Sequence, residues 1–236
     1  MTHSYERVSA EYYDPQLHPT CANFTEASHL LFGEFWRDIA RHLDSLGRPA
    51  DFLDVGCGRS VLVQALIVRN VRRRRLVLAD EAPGMLVHSD DFRGESVELI
   101  AASSATLPLF DASIDVATAF MGDPFNTPET WRELARVVRP GGLALLTVPS
   151  FEWASTFRTT SVGERVGAAL FVVEARDEIH LPSHVMSRPE QEKMMQCTGF
   201  TPVAYREVRA TELKGPLSAK LDAGAHIAEG YLVRRT

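Results

Sequence analysis

Between residues 50 and 150, short apolar runs alternate with segments of helical pattern, and that alternation leaves the chain few folds to choose from. Phe52–Val55, Leu76–Ala79, Val97–Ile100, Ile114–Phe120 and Leu143–Val148 read as buried strands. Ser60–Asn70, Pro83–His88 and Pro128–Val138 read as helices between them. Strands that return through helices lie parallel, and a parallel sheet needs both faces covered. The pattern lapses after Pro149 and resumes with a helix around Pro189–Cys197, a strand near Val203–Val208 and a last strand at Tyr231–Arg234. The expected fold is a doubly wound, Rossmann-like α/β sheet.

The chain has 236 residues, enough for one sizeable core. Residues 1–47 read as an N-terminal helical lid segment, its helix placed at Glu26–Leu46 and stopped by Gly47-Arg48-Pro49. Residues 48–236 form the main domain, and about 150–188 read as an insertion over the sheet.

A formal net charge of −6 argues against nucleic acid, whose binders gain most of their affinity by neutralising phosphates. The run Arg72-Arg73-Arg74-Arg75 reads as a solvated loop. The three cysteines, Cys21, Cys57 and Cys197, are too far apart for a metal pair or a disulfide framework, so no metal is expected. With no membrane-length apolar stretch and no leader pattern, a cytoplasmic protein free of membrane is predicted.

The first strand ends at Asp54-Val55-Gly56-Cys57-Gly58. Glycine there permits positive φ and a close approach of ligand to backbone. A dinucleotide fingerprint needs a third glycine where Val61 stands, and a phosphate-cradling Lys-Ser/Thr pair is missing, so both nucleotide loops fail. Asp80 ends the second strand, where an acidic side chain suits the hydroxyls of a ribose. A ribose beside a positive centre, without a phosphate cradle, matches S-adenosylmethionine.

Five segments in order carry a resemblance: Leu53–Gly58, Ala79–Leu86, "LPLFDASIDV" at 107–116, "ELARVVRPGGLALLTVP" at 133–149 and "CTGFTPV" at 197–203. The chain resembles the class I S-adenosylmethionine-dependent methyltransferases, in particular their small-molecule, ubiquinone/menaquinone-methyltransferase-like branch. The resemblance implies a seven-stranded sheet with the last strand antiparallel, S-adenosyl-L-methionine as cofactor and a small-molecule acceptor; a homodimer is left open. It also implies cofactor roles. Gly56 and Gly58 would pass the methionine part, with Asp54 near its amino group. Asp80 would hold the ribose, with Glu81 beside the adenine. Ser104 and Ala105 would contact the adenine edge, Phe120 and Met121 would line the methionine side, and Tyr13 (or Tyr12) would cover the cofactor. Arg59-Ser60 stands where many members have Thr-Gly, and Ser103-Ser104 where many have an aspartate.

The acceptor is expected between the N-terminal segment and the insertion. His18, Trp153 and His184 are the candidate substrate contacts, and His180 is the candidate base, because an imidazole titrates near neutral pH. The fragment Asp123-Pro124-Phe125 follows strand four where amino-methylating enzymes carry a related motif, but lacks its second proline; it reads as a proline turn and leaves a nitrogen acceptor open. The predicted activity is methyl transfer to oxygen or nitrogen of a small organic molecule. The alternatives are a non-catalytic or regulatory homologue, or a non-methylating reaction on the same scaffold.

Overall fold

All six residues of β1 (Ala50–Val55) are buried, as befits a strand with neighbours on both edges and helices on both faces. In the computed structural model, which describes residues 4–94, 96–158, 161–162, 165–173 and 177–236, β1 lies between β2 (Arg73–Asp80) and β4 (Ile114–Ala119), parallel to both. Beyond β2 runs β3 (Val97–Ala101), and beyond β4 runs β5 (Val138–Pro149). The late strands β9 (Phe200–Arg209) and β10 (His226–Arg235) complete a seven-stranded sheet of order β3-β2-β1-β4-β5-β10-β9. β10 is antiparallel to β5 and to β9, as expected from the sequence. Strand order reverses between β1 and β4, which opens a crevice at their carboxyl ends.

One face carries α2 (Pro19–Ser45), which begins earlier than the expected Glu26 because Pro19 opens its first turn. Leu31, Phe35 and Ile39 are fully buried at helical spacing, each contributing about 1.5–3 kcal/mol by leaving water. They share that core with α3 (Val61–Val68), and the short α4 (Pro83–Leu86) follows β2. The other face carries α5 (Pro128–Val137) and α7 (Arg188–Cys197), with Trp131 packed edge-on against Phe200 at 5.3 Å.

The expected solvated arginine loop is instead the start of β2. Arg74 pairs with the buried Asp51, and Arg75 pairs with Glu98 at 2.6 Å. Asp51 belongs to a network at the amino ends of the strands. Arg48 grips Asp115 through two hydrogen bonds of 2.7 and 2.9 Å, and Arg139 lies 2.9 Å from the same carboxylate. The network closes the end of the sheet opposite the crevice.

The stretch after β5 is a helix, α6 (Phe151–Phe157), followed by an antiparallel sheet of β6 (Ser161–Val162), β7 (Arg165–Val172) and β8 (Glu178–Met186). This small sheet packs on the N-terminal helix α1 (Ser4–Val8), where Val8, Ile179 and Leu181 form a buried cluster of their own. The two candidate lid segments therefore meet over the crevice.

Candidate active site

The crevice opens into a cavity of about 730 Å³. That volume lies within the usual range for small-molecule sites, about 300–1,000 Å³.

Its floor is the turn after β1. Gly56 and Gly58 have φ of +61° and +42°. A Cβ on Gly56 would run into the Phe125 ring, and one on Gly58 into the Tyr13 hydroxyl, so the turn tolerates no side chain at either position. Asp80, 9% exposed, reaches across from β2: the amide of Gly58 donates to its Oδ2 at 3.2 Å and the amide of Ala82 to its Oδ1 at 3.0 Å. Ser60 caps α3, accepting from the Val63 amide at 3.2 Å.

Asp54 lies behind the turn, not in the cavity wall. It is 1% exposed, and its carboxylate accepts from Thr118 at 2.6 Å and from Ser60 at 2.7 Å. Burial pushes its carboxyl up to about 7 against the pull of those two hydroxyls. Its carboxylate is thus held away from the cavity wall, which leaves water or backbone as its route to a ligand's amino group. It ties β1 to β4 and to the cap of α3, and it holds Ser60, the residue that departs from the usual glycine.

The structure brings Tyr13, Gly56, Asp80, Glu81, Ser104, Phe120 and Met121 to the cavity wall. Ser104 Oγ lies 2.9 Å from Thr130 Oγ1. The Met121 amide donates to Thr147 at 2.9 Å, which fixes that residue at φ of +47°. Ala105 and Gly58 stand just outside the wall, Gly58 because Tyr13 covers it. The Tyr13 hydroxyl accepts from the Arg59 amide at 2.8 Å.

The roof is aromatic. Tyr12 stacks on Phe171 of β7 at 5.8 Å, and His18 tilts against the same ring at 5.4 Å. His18 is buried in the wall with its Nε2 3.8 Å from Glu11, and burial lowers its pKa, so it is a neutral imidazole at neutral pH. Trp153 lies on the α6 side, its indole donating to the Lys220 carbonyl at 2.9 Å and its ring edge-on to Phe24 at 4.8 Å.

His180 does not reach the cavity. Along β8 the residues Ile179, Leu181 and Ser183 are buried, so the strand's period of two turns His180 to solvent. His184 has the same parity and also lies outside the wall; its carbonyl accepts from Asn126 at 2.9 Å. The base and one substrate contact expected from the sequence are thus misplaced.

The sequence reading missed a wall that faces Trp153. Asp123, 7% exposed, accepts at 2.6 Å from the buried hydroxyl of Ser183, which in turn accepts from Arg158 Nε at 2.9 Å. Asp123, Pro124 and Phe125 all line the cavity, so the discounted proline turn belongs to the site. Burial raises the Asp123 carboxyl, while the Arg158 charge and the Ser183 hydroxyl pull it back. Asn126 locks this turn in place: it accepts from the Trp131 indole at 2.9 Å and donates to Gln191 at 2.6 Å.

A glycine turn, an acidic second-strand end and a lidded cavity at the switch point of this sheet together define the class I S-adenosylmethionine-dependent methyltransferase fold. Residues 52–142 match the family described as methyltransferase domain. Malonyl-[acyl-carrier protein] O-methyltransferase of Hahella chejuensis is 30% identical over 154 residues, 61% of this chain but 55% of that one, so the match spans about half of that relative's length. Demethylmenaquinone methyltransferase of Corynebacterium kroppenstedtii is 26% identical over 210 residues, 73% of this chain and 90% of that one. Among solved structures, 1,6-didemethyltoxoflavin-N1-methyltransferase of Burkholderia thailandensis has a TM-score of 0.58 at 20% identity, covering 98% of this chain and 86% of that one.

Proposed function

We propose that this chain transfers a methyl group from S-adenosyl-L-methionine to oxygen or nitrogen of a small organic molecule. The observation that carries the reading is the lidded, aromatic-walled cavity that joins the Gly56 turn and Asp80 to Trp153 and the roof. Its residues fit the cofactor: a turn that excludes any Cβ, and a carboxylate at the end of β2 that reaches the cavity. Asp80 and Glu81 would hold the ribose and flank the adenine, Ser104 would meet the adenine edge, and Phe120 and Met121 would line the methionine side. Tyr13 and Phe125 stand against the two glycines and would be the side chains that a bound methionine portion meets.

The cofactor supplies the activated methyl carbon, and the protein's share is alignment and exclusion of water. Tyr12, Phe171 and His18 close the roof of the cavity and would keep water from it. On the wall after β4 the titratable side chain is Asp123, in place of the expected His180. The named relatives act on a malonyl carrier and a demethylmenaquinone, both in keeping with an acceptor that is not a nucleic acid. Among the described residues no helix is long and apolar enough to cross a membrane.

Calorimetry tests the reading. Saturable heat with S-adenosylmethionine and with S-adenosylhomocysteine is expected, and weaker heat with Asp80→Ala. No heat with either form would overturn it and favour a homologue that keeps only the fold.

A further inference from the structure

Several arginines in this protein are matched closely by carboxylates. Arg48 holds Asp115 with a two-pronged contact, and Arg136 reaches Glu133 at 2.6 Å and Asp111 at 2.7 Å. Arg158 is different. It lies in the cavity wall with a side chain 10% exposed, yet among the described residues its nearest approach to a carboxylate is 3.8 Å, from Nη2 to Asp123. Its Nε is fixed by Ser183 at 2.9 Å, and its plane lies over Trp153, 5.1 Å from the ring centre. Held by Nε and by a face, the guanidinium keeps its terminal fork for the cavity; among the described residues that fork makes no hydrogen bond. A desolvated guanidinium with an unfilled fork is costly alone and selective for a planar anion that accepts two parallel hydrogen bonds.

We infer that Arg158 is the recognition residue for a carboxylate carried by the acceptor, seated with its apolar body between Trp153 and the aromatic roof. The inference rests on the methyltransferase reading and names the substrate class of that same cavity. Asp123 sets the charge of the guest. Its carboxylate already stands beside Arg158, so a monoanion completes the site, whereas a doubly charged phosphate meets repulsion with a single guanidinium to offset it. Lys220 lines the same cavity but is exposed, which places a second cation on the way in. Ser183 is the positioning residue: it fixes Arg158 and orients Asp123 by one hydroxyl.

The test is calorimetry on the full chain saturated with S-adenosylhomocysteine, titrated with naphthoate, its neutral isostere naphthamide, and phenyl phosphate. Naphthoate is expected to bind at least ~10-fold tighter than naphthamide, as one charge-assisted contact in a desolvated site provides. Arg158→Gln abolishes the preference and leaves S-adenosylhomocysteine affinity within about twofold. Arg158→Lys keeps the charge without the fork; should the glutamine variant lose S-adenosylhomocysteine binding, a drop in naphthoate affinity in the lysine variant carries the same conclusion. Equal binding of acid and amide, failure of both to bind, a preference that survives in both variants, or tighter binding of phenyl phosphate overturns the inference. Failure of the wild type to bind S-adenosylhomocysteine instead overturns the methyltransferase reading beneath it.

Discussion

Asp54 sits behind the glycine turn with no cation beside it among the described residues, and that predicts an unusual dependence of stability on pH. Its carboxyl, ordinarily near 3.8, is pushed up to about 7 by burial. Between those values the folded chain keeps a proton that the unfolded chain has released. Folding takes up a proton there, so stability falls as pH rises through the window and levels off above the folded value. The full penalty approaches about 4 kcal/mol at alkaline pH, at 1.36 kcal/mol for each unit. Moving from pH 5 to pH 8 should cost the wild type about 2–3 kcal/mol from this group alone. Asp54→Asn removes the titration and keeps the shape. The amide oxygen accepts one hydroxyl and the amide nitrogen donates to the other, since Thr118 lies 3.3 Å from the Leu53 carbonyl and has somewhere else to donate. Urea denaturation of both proteins at pH 5 and pH 8 measures the difference. The variant should gain on the wild type by that amount over the interval. Parallel curves would show that Asp54 is not a strained, buried carboxylate and would refute the account of the turn.

Other positions give sharper local answers. Asp80→Ala removes the acceptor of two turn amides together with the proposed ribose contact, and should weaken S-adenosylmethionine binding by about 1–3 kcal/mol in calorimetry. His180→Ala should leave both cofactor affinity and turnover unchanged, because the ring points to solvent; lost turnover would restore it as a base. Asp115→Ala leaves Arg48 and Arg139 to share Asp51, 3.9 and 3.2 Å away, and thermal or urea unfolding should report a loss at the lower edge of about 3–5 kcal/mol, since Arg48 is 40% exposed and keeps some water. Burial alone would raise the Asp115 carboxyl, but the Arg48 hydrogen bonds, the Asp51 amide and the Arg139 charge hold it below its ordinary value. Its contribution is therefore complete above the usual carboxylate range and disappears as pH falls through it, the reverse of Asp54.

The sheet was legible because its strands are buried on both faces. Phe52–Val55 and Leu76–Ala79 read as plain apolar runs, and the glycine turn between β1 and α3 marks where the ligand crevice must open. Arg72–Arg75 misled for a related reason. A run of like charge reads as solvent-facing, but at the start of β2 it meets Asp51 and Glu98, partners that lie far away in sequence. The same holds for Asp54: the sequence places it correctly next to the turn and cannot show that Thr118, on a neighbouring strand, takes the carboxylate away from the ligand side.

The cavity wall around Asp123 and Arg158 was hidden by a more specific cause. β8 does alternate: Ile179, Leu181, Ser183 and Val185 are its buried set. A serine at an inward position breaks the apolar period that a reader looks for, while His180 and His184, at outward positions, attract notice as chemistry. Ser183 interrupts the pattern because it is committed to Asp123 and Arg158. The polar residue that spoils the strand's period therefore marks the cavity face, and the conspicuous His180 marks the solvent face. Ser183, three positions beyond His180, is the buried polar residue of β8, and its hydroxyl leads to Arg158, the buried guanidinium of the cavity wall, whose approach to Asp123 is a loose 3.8 Å.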